Sequence, residues 1–268
     1  MTIDRFFENL ECNSDLFSMP FSWKEFDPFE DLLSRLTSKE NNGFLVTDNM
    51  FAQCWNSGYE CDGMWKNYTS AQLNDGVMIE SDCNTILSNL KSIVSKLKMF
   101  ESKDVYHNIS EIDNQLNSMV SIKKVQYLTY KKIITQYEEY FEELDKVARG
   151  ESSEDDLKFL DSRREGLREI LSIKREHYSY EKEYRIFIQP FNDGVKEFKS
   201  IDSHRILVPE FKSRIKKVIF SPNMSENKYK CYKSQLIQEY EFDENIIEKS
   251  KMYDLDELLR DSKLKRKN

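Results

Sequence analysis

The chain has 268 residues, of which 39% are hydrophobic and 33% charged, and its formal net charge is −8. This length suits one large domain, and no run approaches the roughly 20 apolar residues that a membrane-spanning helix needs. The first residues lack the basic and apolar regions of a secretory signal, and the five scattered cysteines have no metal-ligand spacing. We therefore expect a cytoplasmic protein with reduced thiols and no membrane part. The negative charge argues against coating of nucleic acid but not against an enzyme that touches it locally.

Amphipathic spacing predicts long helices in the middle of the chain, where prolines are absent. Residues 84–100 carry one apolar stripe and residues 133–147 a second, which Gly150 is expected to end. Residues 153–156 resemble a capping box that opens a third helix. Residues 131–174 therefore predict a long helical hairpin, inserted into a core that contains β-strands.

Short apolar runs predict strands on both sides of this hairpin. The predicted strands cover residues 43–47, 50–55, 76–80, 124–130, 184–188, 205–208 and 218–220. Their intervals differ and helices interrupt them, which favours an α+β fold with an antiparallel or mixed sheet core over a βαβ repeat. We expect residues 1–262 to form a single domain with the hairpin as an insertion, and residues 263–268 to form a basic tail.

Several common kinds of site have no signature in this sequence. It contains no glycine-rich phosphate loop, no dinucleotide-binding glycine fingerprint and no nucleophile elbow. The three histidines are far apart and lack ligand spacing, so no metal is expected. Cys54 lies beside Trp55, and we expect it to be a small buried hydrophobe rather than a reactive thiol.

The most informative stretch covers residues 180–190, where Glu181, Glu183 and Arg185 alternate ahead of an apolar run. On a strand these three side chains share one face. The opposite face, which we expect to be the buried one, carries Tyr184, Ile186 and Ile188. The charged face is either a surface ion pair worth at most about 1 kcal/mol or the floor of a site.

A second informative stretch, residues 51–68, holds two of the three tryptophans on a segment interrupted by glycines. Trp65 and Tyr68 share a face if a helix begins near Met64. Such aromatic rings stack on nicotinamide or a nucleobase, or they simply pack in the core.

An ordered set of short motifs resembles a known family. The motifs are Asp27-Pro-Phe-Glu30, Phe51-Ala-Gln-Cys-Trp55, Met64-Trp-Lys-Asn-Tyr68, Gly76-Val77, Tyr180-Glu-Lys-Glu-Tyr-Arg185, Ile206-Leu-Val-Pro209 and Ile215-Lys-Lys-Val-Ile-Phe-Ser-Pro222. Together they resemble the bacterial family catalogued as domain of unknown function twenty-nine seventy-one, over roughly residues 4 to 237. The chain departs from that family at its start, because residues 3–7 replace the usual aromatic-basic strand.

The layout also resembles, more loosely, ADP-ribosyltransferases that act as toxins. This resemblance implies NAD as a co-substrate, Glu183 as the catalytic glutamate and Glu181 as the assisting carboxylate before it. It assigns the aromatic that stacks on nicotinamide to Trp65 or Tyr68. The early cofactor-binding position falls on Ser18 or Arg5, and Arg185 either keeps Glu183 ionised or binds a cofactor phosphate.

The resemblance implies a toxin or anti-phage defence effector that transfers ADP-ribose from NAD to a nucleic-acid or protein target. Such an effector is expected to need an antitoxin or another inhibitory protein as a partner. The alternative is a non-catalytic module of a defence or toxin–antitoxin system that binds a ligand or partner through the same residues. A third hypothesis is a scaffold that assembles through the long helices.

Overall fold

The computed structural model describes residues 1–25, 50–58, 60–69, 75–96, 119–151, 157–159, 165–189 and 198–254. The helices are α1 (Ile3–Glu11), α2 (Asp62–Tyr68), α3 (Cys83–Ser95), α4 (Tyr130–Ala148), α5 (Glu165–Ile170) and α6 (Glu226–Gln238). The strands are β1 (Ser14–Ser18), β2 (Phe51–Asn56), β3 (Val77–Glu80), β4 (Val120–Lys124), β5 (Gln126–Leu128), β6 (Ile173–Arg175), β7 (Glu183–Ile188), β8 (Lys199–Asp202), β9 (Arg205–Pro209), β10 (Lys217–Phe220) and β11 (Ile247–Lys249).

The strands form one large sheet and two small ones. The large sheet has the order β4-β7-β2-β1-β9-β8, and β7 pairs antiparallel with both β2 and β4. A three-stranded sheet has the order β11-β10-β3, and β5 pairs with β6 in parallel. The α+β prediction with an antiparallel or mixed sheet core is therefore confirmed.

The chain divides into two compact units. Unit 1 comprises Met1–Ser14, Tyr59–Thr85 and Glu210–Asn268, and unit 2 comprises Asp15–Gly58 and Ile86–Pro209. In unit 1, α1 and α6 supply Phe6 and Leu236 to a core that also holds Val218 and Phe220 of β10. The carboxyl-terminal segment 263–268 lies outside the described residues.

Strand β7 is buried on both faces within unit 2. Ile186 and Ile188 belong to a core shared with α3. Phe187, on the other face, packs in a core shared with α4 and α5. The sequence correctly predicted the burial of the Ile186 face. It did not predict that helices also cover the face of Glu183 and Arg185, because alternation in one strand does not show what packs on it.

Helix α4 confirms the first arm of the predicted hairpin, and its two ends have clear chemical causes. Thr129 caps the amino end, where its hydroxyl accepts a hydrogen bond from the Lys132 N–H. At the carboxyl end Gly150 adopts a left-handed conformation with φ +70°. The Glu151 N–H then donates to the Lys146 carbonyl at 2.9 Å, the bond that closes a Schellman motif.

The second arm is shorter than the sequence predicts. Helix α5 has six residues, and residues 157–159 are not helical. The Lys158 and Phe159 N–H groups donate to the two carboxylate oxygens of Glu143 on α4, at 3.1 and 2.8 Å. A side-chain acceptor thus replaces the backbone carbonyls that a continuous helix would use. Residues 152–156 and 160–164 lie outside the described part.

Most of the other predicted elements are present, with shifted ends. Strands at 50–55, 76–80, 184–188, 205–208 and 218–220 match β2, β3, β7, β9 and β10. The predicted strand 124–130 is instead the junction of β4, β5 and the start of α4, and the predicted strand 43–47 lies outside the described residues. Among the described helices, none is both long and apolar enough to cross a membrane.

Alanine substitutions at two glycines of unit 2 are expected to lower stability by different amounts. A Cβ atom at Gly166 would overlap the backbone of Lys158 and Phe159, whereas a Cβ at Gly150 would meet nothing within 4 Å. We expect Gly166→Ala to lower the free energy of unfolding by about 3 kcal/mol, because backbone atoms must move. Gly150→Ala should cost only about 1 kcal/mol, from its left-handed conformation. Urea titration followed by circular dichroism measures both. Equal losses would contradict the packing of residues 158–159 on α5.

Candidate functional site

Four charged side chains of unit 2, Lys174, Glu181, Glu183 and Arg185, form a continuous cluster that we call the carboxylate network. Arg185 Nε donates to Glu183 Oε1 at 2.8 Å. Lys174 Nζ donates to Glu183 Oε2 at 3.0 Å and to Glu181 Oε2 at 2.6 Å. Glu183 is 4% exposed and Arg185 1%. The predicted ion pair exists, but it is buried and not a surface ladder.

Glu181 reaches this network from outside the strand, which corrects the prediction that it shares a strand face with Glu183. It ends a 3-10 helix, Glu176–Glu181, and Lys182 follows in a left-handed conformation with φ 44°. The end of β2 holds this turn. Asn56 Nδ2 donates to the Glu181 carbonyl, and the Ser57 N–H donates to the Lys182 carbonyl at 3.0 Å. The turn therefore brings Glu181 to the same lysine as Glu183.

The small parallel sheet supplies the network's second cation and a hydroxyl group. Tyr127 of β5 and Lys174 of β6 are register partners. The Tyr127 hydroxyl accepts a hydrogen bond from the Glu183 N–H at 2.7 Å, and the Val125 N–H donates to the Glu183 carbonyl at 3.0 Å. The first residue of β7 is thus fixed through both its backbone and its side chain. The sequence did not reveal Lys174, because β6 has only three residues and falls within the predicted hairpin.

The two carboxyl groups have pKa values shifted in opposite directions. Burial alone would raise the pKa of Glu183, but the positive charges of Arg185 and Lys174 outweigh burial and lower its pKa to about 2. Burial raises the pKa of Glu181, and the negative charge of Glu183 adds to this, while Lys174 opposes it. Burial also raises the pKa of Tyr127. At neutral pH Glu183 is therefore the firmly ionised member of the pair.

Arg185 is immobilised on every side that the structure describes. Its Nη1 donates to the Leu171 carbonyl, and its guanidinium lies over the ring of Trp23, 4.7 Å from the centroid. Trp23 Nε1 in turn donates to the Ser18 hydroxyl at 2.6 Å. Ser18, predicted as a cofactor-binding residue, is therefore connected to the carboxylate network through Trp23. No spacing in the sequence pointed to Trp23.

Cys54 differs from the prediction, because it is exposed and not buried. It is the register partner of Arg185 on the neighbouring strand, and its thiol makes a hydrogen bond to Glu183 that helps lower the pKa of that carboxyl. Residues opposite each other on neighbouring strands lie on the same face, so Cys54 is on the face of the charged cluster. Among the contacts of Glu183 described above, Cys54 is the most exposed residue.

Trp65 and Tyr68 belong to unit 1, on α2. Trp65 is 7% exposed and its Nε1 donates to Glu60 at 3.1 Å, whereas Tyr68 is 50% exposed. Arg5, the alternative to Ser18, is on α1 and pairs with Glu8 at 3.2 Å. The helix predicted near Met64 is confirmed, but an association of these residues with Glu183 stays a prediction.

Comparison with known proteins gives one family. Residues 64–186 match the model of the family described as "Protein of unknown function (DUF2971)", which supports the resemblance over that segment. The match runs from the start of the Met64–Tyr68 motif to β7 and so includes Lys174 and the two glutamates. No curated protein and no solved structure matches the chain significantly. Within the described residues, no group of three or more His, Cys, Asp or Glu side chains is placed to hold a metal ion.

Because the pKa values of Glu181 and Glu183 shift in opposite directions, removing the two charges should change the free energy of unfolding by different amounts. Because the folded-state pKa of Glu183 is near 2 and its ordinary value 4.5, its contribution to stability is present above pH 4.5 and is lost as the pH falls toward 2. We expect Glu183→Gln to lower the free energy of unfolding by about 3 kcal/mol at pH 7, with the difference from wild type shrinking below pH 4. The raised pKa of Glu181 means that its ionisation disfavours the folded state at pH 7, so Glu181→Gln should cost less than Glu183→Gln.

Denaturant titrations at pH 3, 5 and 7 measure both variants. Glu176→Gln is the matched control, because Glu176 is an exposed carboxylate in the same 3-10 helix. Equal losses for Glu181→Gln and Glu183→Gln at pH 7, or a Glu183→Gln loss independent of pH, would contradict this electrostatic assignment.

Proposed function

We propose that the carboxylate network is the chemical centre of an ADP-ribosyltransferase that uses NAD as co-substrate. Glu183 acts as the anionic group that stabilises the reacting ribose, and Glu181 acts as the proton acceptor. The observation that carries the proposal is one lysine bridging two carboxylates whose pKa values are pushed apart. Such a pair commonly divides the ionic and the proton-transfer roles of a site.

The role of Glu183 follows from its charge. Loss of nicotinamide from NAD leaves positive charge on the ribose, which a fixed carboxylate stabilises. Arg185 and Lys174 keep Glu183 ionised throughout the physiological pH range, and the hydrogen bond from its own N–H to Tyr127 fixes its position. The Cys54 side of the network is the approach for a ligand, because Cys54 is exposed and in contact with Glu183.

The role of Glu181 follows from its raised pKa. The glycosidic bond between the ribose C1′ and the nicotinamide nitrogen breaks, its electron pair leaves with nicotinamide, and the acceptor's heteroatom forms the new bond to C1′. Glu181 takes the proton that the acceptor loses, which a carboxylate of raised pKa does more readily than Glu183. Lys174, which contacts both carboxylates at 2.6 and 3.0 Å, holds them in fixed positions relative to each other.

Of the two aromatics that the resemblance offers for stacking on nicotinamide, Tyr68 has the more exposed ring. A ring that stacks on a ligand needs an open face, and half of Tyr68 is exposed, whereas Trp65 is almost fully buried. The target is a nucleic acid or a protein. A toxin or defence effector of this kind would be restrained by an antitoxin or another inhibitory protein.

The alternative is a non-catalytic module that binds a ligand or partner without turnover. One observation favours it: both oxygens of Glu183 are already engaged, by Arg185 and by Lys174, in a nearly closed environment. A buried, fully paired charge cluster also fixes local structure without reacting with anything. Under this alternative NAD is bound without release of nicotinamide, or is not bound.

Nicotinamide release from NAD, measured by chromatography with the purified chain, tests the proposal. We expect Glu183→Gln to lower the rate by roughly 10²- to 10³-fold, because the charge that stabilises the ribose is lost. Glu181→Gln should lower transfer to an acceptor more than hydrolysis of NAD. Glu176→Gln should keep the wild-type rate, and expression of wild type, but not of Glu183→Gln, should inhibit bacterial growth.

Circular dichroism at the assay temperature separates loss of activity from loss of folding. A folded Glu183→Gln variant with the wild-type rate would overturn the proposal. A wild-type chain that binds NAD in calorimetry without releasing nicotinamide would support the alternative.

A further inference from the structure

A second feature lies next to the carboxylate network, at one end of the small β5–β6 sheet. These strands are parallel, with Leu128 opposite Arg175, so the chain segments that follow them leave from the same end. One segment, residues 129–132, begins α4, and the other, residues 176–182, is the 3-10 helix and its turn. The two segments therefore begin side by side in unit 2.

Both segments carry tyrosines and cations, and we call residues 129–132 and 175–182 together the tyrosine–lysine surface. Tyr130 is 61% exposed and Tyr180 44%. The cations of the stretch are Lys131, Lys132, Arg175 and Lys182, of which the three lysines are exposed. Its exposed acid is Glu176, since Glu181 is buried on Lys174. The stretch is thus locally basic in a chain of net charge −8.

Tyr178 joins this surface to the carboxylate network. Its hydroxyl accepts a hydrogen bond from Arg175 Nη2 at 3.2 Å, and the Arg175 guanidinium lies 5.3 Å from its ring centroid. Lys174 Nζ lies 4.8 Å from the same centroid. One tyrosine ring therefore contacts a cation of the surface and the lysine that bridges the two glutamates.

The lysines of this surface differ from those of a lysine-rich segment of unit 1, residues 212–233, which we call the unit 1 basic region. In that region Lys216, Lys217, Lys228 and Lys233 each pair with an acidic side chain. By contrast, Lys131, Lys132 and Lys182 are exposed and form no ion pair with any other residue that the structure describes. Within the described part of the chain these lysines therefore differ from the four unit 1 lysines, whose charge is balanced by acidic partners.

We propose that the tyrosine–lysine surface binds single-stranded nucleic acid. Proteins that bind single strands combine cations that follow the phosphates with exposed aromatic rings on which bases stack, and this surface carries both. A protein partner with acidic side chains would use the cations but would not require the two exposed tyrosines. Resting on the function proposed above, the same nucleic acid is the acceptor, because Tyr178 places the surface directly beside Lys174 and Glu181.

Fluorescence anisotropy with labelled 12-nucleotide DNA and RNA single strands, in low salt and without NAD, tests binding by the full chain. We expect Lys131→Glu/Lys132→Glu to weaken binding at least tenfold and to flatten its salt dependence. Tyr130→Ala/Tyr180→Ala should weaken it about tenfold, through lost stacking. The DNA and RNA strands show which sugar the surface prefers.

The matched control is Lys199→Glu/Lys230→Glu, which makes the same charge change at two exposed lysines outside the surface. Equal losses in the two charge-reversal variants, or no binding by wild type, would overturn the proposal. A duplex of the same length that binds as tightly as the single strand would overturn the stacking assignment. Poly-glutamate that displaces the strand as well as unlabelled strand does would indicate an acidic protein partner instead.

The acceptor role is tested separately, by incubating wild type with NAD and the labelled strand and resolving the product by electrophoresis. An oligonucleotide that gains ADP-ribose supports the role. Nicotinamide release with no modified strand would overturn the acceptor role alone. Strand binding with no nicotinamide release would contradict the proposed function while leaving the nucleic-acid surface in place.

Discussion

The buried contact between Arg185 and Glu183 depends on several separate segments of unit 2 at once. Removing these charges from water costs several kcal/mol per ion, and only close partners offset that cost. The partners come from separate segments: Lys174 from β6, the Leu171 carbonyl from the turn after α5, and Trp23 from the 3-10 helix Pro20–Glu25. The cluster is therefore satisfied only when all these segments are in place. Misplacing one of them leaves a buried charge short of a partner, which makes the arrangement specific even where its net contribution to stability is small.

The same requirement explains why the two carboxylates differ. Glu183 lies on the strand and is adjacent to two cations, so it stays ionised. Glu181 lies on a turn, shares only Lys174, and has Glu183 as an anionic neighbour, so its proton affinity rises. A pair with one fixed charge and one group that exchanges a proton is useful to an enzyme, but it is also the outcome of any crowded charge cluster. The geometry of the pair is therefore common to an enzyme and to a binding module, and release of nicotinamide is what separates the two.

Part of this arrangement is predictable from the sequence and part is not. The apolar run of β7, the amphipathic stripe of α4 and the stop at Gly150 follow from local periodicity and backbone preference, so their prediction succeeded. Three other features depend on contacts between segments that are distant in sequence. Helices cover the charged face of β7, a three-residue strand delivers Lys174, and the end of β2 fixes the turn at Lys182. None of these has a periodic signature, because each arises where segments distant in sequence meet.

Net charge, like local periodicity, does not predict which basic residues come together on the surface. A chain of net charge −8 is a poor candidate for coating nucleic acid, and that inference holds for its average field. Electrostatic recognition of an anion acts over one Debye length, about 10 Å. At that range the local charges matter more than the net charge of the chain. In the unit 1 basic region the lysines are largely balanced by acids such as Asp75 and Glu244, although the sequence there looks basic. The cations of residues 129–132 and 175–182 form no long basic run in the sequence, yet the parallel pairing of β5 and β6 starts these two segments side by side, next to a buried carboxylate pair. Pairing in three dimensions, and not composition, therefore decides which basic residues of this chain are able to meet a phosphate.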